Sequence, residues 1–268
     1  MSHKTEKNTM QVPNEVSQLV KNSGNNFHAK VARWLHANGW HVVVSPYYMD
    51  QTQNKAREID LIAEKLWPVK ATFGRALDDV AVRLFIECKF VPTSSVFWFA
   101  DKDQHSAQNL VCASGTFRPD NIYTKKHHYL AQSPKVAKVF ATSANKAPET
   151  EPFYKALNQD LNAMVSMRGQ PVTVPALKNS TPQVVIEFPV VVCSSFDHLF
   201  AVDFYAESTP TPISENFQLE VRYAYIGRNN SHYDEYFLLD LVEFNQLEKF
   251  AQAIADDANV AAFFAAPS

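Results

Sequence analysis

Apolar residues at Phe27, Val31, Trp34 and Leu35 are spaced three and four apart, which brings them to one face of an α-helix. That helix is predicted over residues 27–38, with Asn25 or Asn26 able to cap its start and Gly39 as its stop. Upstream, Pro13 followed by Val16, Leu19 and Val20 predicts a shorter helix ending near Gly24, while residues 1–12 are polar and loose. Residues 40–45 form a β-branched run suited to a buried strand, and Pro46 leads into a polar loop over 50–55. Two further strands are predicted at 57–63 and 80–90. Between them lies a stretch holding Pro68, Gly74 and the acidic pair Asp78 and Asp79.

Residues 103–113 have the composition of a helix and 136–142 that of a strand. Residues 151–167 predict a long amphipathic helix with Leu157, Leu161, Met164 and Val165 as its apolar stripe. The alternation implies an α/β fold, a central mixed β-sheet flanked by helices, with its core over about 13–167. Beyond Gly169 the texture becomes strand-like at 184–193, 199–205, 217–226 and 236–241, and a helix from 246 to about 254 closes the chain. Residues 168–268 therefore predict a β-rich C-terminal extension packed on the core as part of the same domain.

Composition narrows the possibilities. A chain of 268 residues with 46% hydrophobic content can bury a core without staples. Cys88, Cys112 and Cys193 are odd in number and widely separated, which suggests neither a disulfide framework nor a cysteine zinc site and leads us to expect a reducing cytoplasm. The longest apolar run, 184–193, is interrupted by Glu187 and Pro189, and the N-terminus has no apolar leader segment, so we expect neither membrane span nor secretion. No glycines are spaced as in GxGxxG or a P-loop, which excludes nucleotide cofactors bound through those motifs. A net charge of -3 argues against a generally basic surface but leaves room for a local basic cleft.

Two strands carry charge out of otherwise apolar segments. Along 57–63, Glu58, Asp60 and Ile62 should share one face and Ile59 and Leu61 the other; along 84–90, Glu87 and Lys89 should share a face opposite Ile86 and Cys88. A solvent-facing edge strand would show the same alternation. If the two strands are neighbours, Asp60 and Glu87 stand about 5 Å apart and repel by about 3 kcal/mol at an effective dielectric near 20. A divalent cation removes that penalty. Two carboxylates, with the Cys88 carbonyl as a further oxygen, suit Mg²⁺ or Mn²⁺ and leave coordination positions for water and a phosphate oxygen. Lys89 is placed to orient the water or to neutralise charge developing on the phosphate.

Asp60 within Glu-Ile-Asp-Leu-Ile-Ala, then Glu87-Cys88-Lys89, preceded by a helix ending in Asn-Gly-Trp and a strand, resembles the PD-(D/E)xK restriction-endonuclease-like nucleases. The resemblance covers roughly residues 27–167. It implies Mg²⁺-dependent hydrolysis of DNA phosphodiester bonds by Asp60, Glu87 and Lys89, or a weakened module of the same fold that binds DNA or a protein partner. A homodimer is compatible with either. Where members place a glutamate on the first core helix, this chain has His28, which is a substitute ligand or an ordinary surface histidine. Gln104 and Gln108, on the helix after the lysine strand, would then position substrate or simply be solvated.

Lys125 and Lys126, next to His127 and His128, form a cluster that could meet a DNA backbone or lie in a solvated loop. Adjacent histidines seldom converge on one ion, and no further His or Cys stands at suitable spacing, so a zinc role for His127 and His128 is not expected. Lys135, Arg222 and Arg228 are isolated basic residues that carry little information. Asp197, His198 and Ser194 or Ser195 lack the elbow motif of a hydrolase triad and are set aside.

Overall fold

The computed structural model describes residues 13–69, 80–142, 151–174 and 184–265; Gly74, Asp78 and Asp79 fall outside the described residues. Two helices open the fold, α1 (Asn14–Asn22) and α2 (Gly24–Ala37). The α2 cap is Ser23, whose side chain accepts from the Asn25 N–H at 3.1 Å, so the helix begins earlier than Asn25 or Asn26 as caps would allow. Gly39 takes the left-handed conformation, φ 80°, that lets the chain leave α2 for β1 (His41–Val44).

A hairpin follows, β2 (Tyr47–Asp50) with β3 (Lys55–Glu58), and then β4 (Leu61–Trp67) and β5 (Val80–Lys89). Next come β6 (Ser95–Asp101), α3 (Gln104–Cys112), the one-turn α4 (His128–Ala131) and β7 (Lys135–Thr142). The long helix α5 (Pro152–Met167) precedes β8 (Val184–Cys193), β9 (Leu199–Asp203), β10 (Thr211–Pro212), β11 (Phe217–Ile226), β12 (His232–Glu243) and α6 (Leu247–Ala265).

Ten strands form one mixed sheet in the order β1-β4-β5-β8-β12-β11-β7-β6-β9-β10. β4 is antiparallel to β1 and β5, and β5 is parallel to β8. The fold is thus α/β, and the sheet draws strands from both sides of residue 168. Every residue of β5 from Val80 to Ile86 is buried, because helices cover both faces. Leu84 and Ile86 pack with Val31 and Leu35 of α2 and Phe250 and Ile254 of α6. Phe85 packs on the other side, with Phe153, Leu157 and Leu161 of α5.

Two departures from the sequence pattern matter. The strand expected at 57–63 is broken: Ile59 bonds back to the Pro46 carbonyl, Asp60 lies in a bend, and β4 starts only at Leu61. Ile59 therefore joins Ile62 in the α5-side core while Leu61 enters the other, so Ile59 and Leu61 do not share a face. Second, β6 is a strand that its sequence had not suggested, and it opens an excursion through α3, α4 and β7 to the far side of the sheet before α5 returns.

Arg83, fully buried in β5, shows how a charge inside the sheet is accommodated. Its Nε donates to Glu64 at 2.6 Å, one terminal nitrogen reaches Glu187 at 3.1 Å, and the other donates to the carbonyls of Gln170 and Pro171. Replacing it removes the counter-charge of the buried Glu64 carboxylate, which would keep only its Thr173 hydrogen bonds, and of the half-buried Glu187. Arg83→Met should therefore lower the unfolding free energy by about 3–5 kcal/mol in urea denaturation; a loss under about 1 kcal/mol would mean that the ion cluster is dispensable.

Candidate functional site

The antiparallel ladder of β4 with β5 begins at Leu61 opposite Ile86, which brings Asp60, in the bend just before it, to the end of β5 that carries Glu87. The bend at residues 59–60 frees the Asp60 side chain from the ladder. One carboxylate oxygen accepts from the Cys88 N–H at 2.8 Å, taking the place a backbone carbonyl of β4 would fill. In an antiparallel strand the N–H and C=O of one residue face the same neighbour. The Cys88 carbonyl accordingly points past the start of β4 on the Asp60 side, while the Lys89 carbonyl turns to β8 and accepts from Ser194.

Glu87 is buried, and its two oxygens are treated unequally. Oε2 accepts from Lys89 Nζ at 2.8 Å, whereas Oε1 has no hydrogen-bond partner. Burial pushes the Glu87 pKa up to about 7, with the charge of Asp60 adding to the rise and Lys89 opposing it. Burial works to lower the Lys89 pKa, but the charge and hydrogen bond of Glu87 outweigh it and hold the ammonium above its ordinary value. A buried carboxylate oxygen without a donor is a costly arrangement unless a cation or proton completes it.

The helix that faces this pair is α5, not the helix after the lysine strand. Asp160 of α5 is completely buried and neither of its oxygens has a hydrogen-bond partner. Burial, reinforced by the charge of Glu87, holds its pKa well above the carboxylate range. The neighbouring Gln159 donates to the Glu58 carbonyl at 3.2 Å, and its own carbonyl accepts from Tyr48 of the hairpin at 3.1 Å, which ties β2 and β3 to α5. Asp160 was missed in the sequence because it lies inside the apolar stripe between Leu157 and Met164; a charge in such a stripe is the signal that marks it.

His28 lies on α2 with Nε2 buried and unpartnered. It faces Glu58, whose pKa is lowered by hydrogen bonds from Ser45 and Tyr47 and further by His28. That position is two residues from Asp60. Gln104 and Gln108 are not brought to the site. α3 packs Ala107 and Val111 into the core on the face of the sheet opposite Glu87, Gln104 is exposed, and Gln108 donates to the Pro119 carbonyl. Lys125 and Lys126 are exposed on a turn of that other side, with Lys126 over the Tyr123 ring.

His127 and His128 are buried rather than part of a basic surface. His128 bridges Asp240 and Asp257, two acids in otherwise apolar stretches of β12 and α6. Among the described residues, the compact group of three potential metal ligands is His127, His128 and Asp257, not the acids around Glu87. A cavity of about 580 Å³ is lined by His127, Tyr129, Phe188 and Arg168 and does not reach Asp60, Glu87 or Lys89. All three cysteines are free, and no helix among the described residues is long and apolar enough to cross a membrane.

No protein-family model, curated protein or solved structure matches this chain.

The protonation of Glu87 sets a pH dependence. A carboxyl whose pKa rises on folding binds more protons in the native state, so its contribution is complete below its ordinary value of 4.5 and is lost as the pH climbs to about 7. For the metal-free protein this predicts a fall of about 3 kcal/mol in unfolding free energy between roughly pH 5 and pH 8. Asp160 acts with the same sign. Glu87→Gln should flatten the profile; identical profiles for the two proteins would contradict the raised pKa.

Proposed function

We propose that the protein is a metal-dependent nuclease that hydrolyses DNA phosphodiester bonds at Asp60, Glu87 and Lys89. The observation that carries the reading is the Glu87 carboxylate, buried, within reach of the Asp60 charge, and holding one oxygen without a donor. The donor set is all oxygen: Asp60, Glu87 and the Cys88 carbonyl. Mg²⁺ and Mn²⁺ are commonly held by one or two carboxylates with water completing the shell, so the set fits such an ion without a third acid. Four adjacent strands, β1, β4, β5 and β8, with α2 on one face and α5 on the other, agree with the restriction-endonuclease-like arrangement that the Asp60 and Glu87-Cys88-Lys89 motifs suggest.

When bound, the cation would supply Lewis acidity toward a phosphate oxygen and a more acidic attacking water. Asp60 keeps its geometry through the Cys88 N–H, which leaves its second oxygen for the ion. Glu87 offers Oε1 while Oε2 anchors Lys89. Lys89 is half-buried and remains protonated, able to turn its other ammonium hydrogens to the phosphate or to the attacking water. Partial exposure of Asp60 and Lys89 beside buried Glu87 suits a polymer laid along the end of β5 more than a small molecule held in a cavity. The rival reading is a module of the same fold that binds DNA without cutting it, favoured by His28 at the first-helix position where the resembled family places a glutamate.

Supercoiled, linear and branched DNA incubated with Mg²⁺ or Mn²⁺ separates the two. Wild type should cut, and Asp60→Ala and Lys89→Ala should each lose roughly 100-fold or more in rate. Equal residual cutting by all three proteins would overturn the proposal, and DNA binding that is indifferent to Asp60→Ala, without cutting, would select the rival.

A further inference from the structure

The cluster at His127, His128 and Asp257 lies apart from the Glu87 site and plays no part in the proposed hydrolysis. We propose that these three residues bind a zinc-class dication, which would pin the turn before α4 to α6, with Asp240 as the residue that orients His128. The ligand atoms of the three all lie within 4.8 Å of one another. Asp257 Oδ2 stands 2.5 Å from His128 Nδ1 and 3.4 Å from His127 Nε2, so both imidazoles turn a nitrogen toward one carboxylate oxygen.

The opposite nitrogen of His128, Nε2, is 3.0 Å from Asp240 Oδ2, and the other oxygen of Asp240 accepts from Gln218. A carboxylate on the far nitrogen is the arrangement that fixes the tautomer and aim of a metal-bound histidine. Two imidazoles and one carboxylate are borderline donors, suited to Zn²⁺ where the all-oxygen set at Glu87 suits Mg²⁺. His127 also lines the cavity of about 580 Å³, whose lining does not include His128 or Asp257.

In the metal-free protein a proton stands where the cation would sit. His128 bridges the two acids, which burial opposes but Asp240 and Asp257 outweigh, holding its pKa at about 9. Ligation displaces the Nδ1 proton of His128 and leaves Nε2–H on Asp240. His127 Nδ1 accepts from the Tyr129 N–H at 3.2 Å, so its proton sits on Nε2 and must move to Nδ1 when Nε2 becomes a ligand. That movement costs one helix-cap hydrogen bond, a small debit beside the affinity of zinc for such a set.

The test is titration of the full-length, EDTA-treated protein with Co²⁺, followed by displacement with Zn²⁺. Ligation by two imidazoles and a carboxylate in a low-coordinate site predicts intense visible absorption at one equivalent, which six oxygens at the Glu87 site would not produce. His127→Gln should abolish the absorption and weaken binding by about 100-fold or more, beyond the loss typical of an outer partner, while its circular dichroism stays that of wild type. Absence of the absorption in folded wild type, or its persistence in His127→Gln, would overturn the proposal. Should His127→Gln fail to fold, X-ray absorption at the zinc edge of zinc-loaded wild type decides. Two imidazole nitrogens at about 2.0 Å support the site, and an all-oxygen shell overturns it.

Discussion

Charge buried inside a sheet has to be matched by opposite charge, by hydrogen bonds or by a ligand, and β5 presents the problem in its sharpest form. Its face toward α5 carries Arg83, Glu87 and Lys89 at alternate positions with Phe85 between them. At the Arg83 end the match is complete within the protein: two carboxylates and two carbonyls meet the guanidinium. At the Glu87 end it is incomplete. Lys89 meets one oxygen of Glu87, the other is orphaned, and the buried acid of Asp160 stands nearby with no partner. Since an unmatched buried carboxylate costs more than a single mutation typically does, the Glu87 end of the sheet is where a proton or a cation has to complete what the protein leaves open.

The fold explains how these groups come to one place. α5 crosses back over the sheet between β5 and β8, so the residue that faces Glu87 comes from far along the chain. The break at Ile59 and Asp60 ends one hairpin and begins the next strand, leaving the Asp60 carboxylate to take over the Cys88 N–H. Tyr48 and Gln159 brace the hairpin against α5. The site is therefore held by three elements whose positions are set by core packing, with Phe85, Ile59 and Leu161 fully buried beneath it.

The sequence was most readable where a periodicity met a buried face. β5 appears within one residue of its expected end, α2 ends at Ala37 just before Gly39, and β4 and β5 are antiparallel neighbours, the condition on which Asp60 and Glu87 come near one another. It was least readable where tertiary contacts override the local pattern. Nothing in residues 57–63 announces the bend, because the Pro46 carbonyl that draws Ile59 out of line belongs to a different strand end. The excursion through β6, α3 and β7 could not be ordered from sequence, so Gln104 and Gln108 were assigned to the helix nearest in the chain, while α5 is nearest in space. His127 and His128 looked like the end of a basic cluster because their acidic partners, Asp240 and Asp257, are more than a hundred residues away. For Asp160, Asp240 and Asp257 the usable trace was a charged residue inside an apolar stripe, the same trace that marked Glu87 and also marked the purely structural Arg83. Composition reveals that such a charge needs a partner; only the fold reveals whether the protein supplies one.

The most direct measurement is Mn²⁺ binding followed by electron paramagnetic resonance, comparing wild type, Glu87→Gln and His127→Gln without any nucleic acid. If the orphaned carboxylate is a cation site, wild type and His127→Gln bind Mn²⁺ and Glu87→Gln does not. Binding that survives Glu87→Gln unchanged, or no binding by folded wild type, would contradict the account.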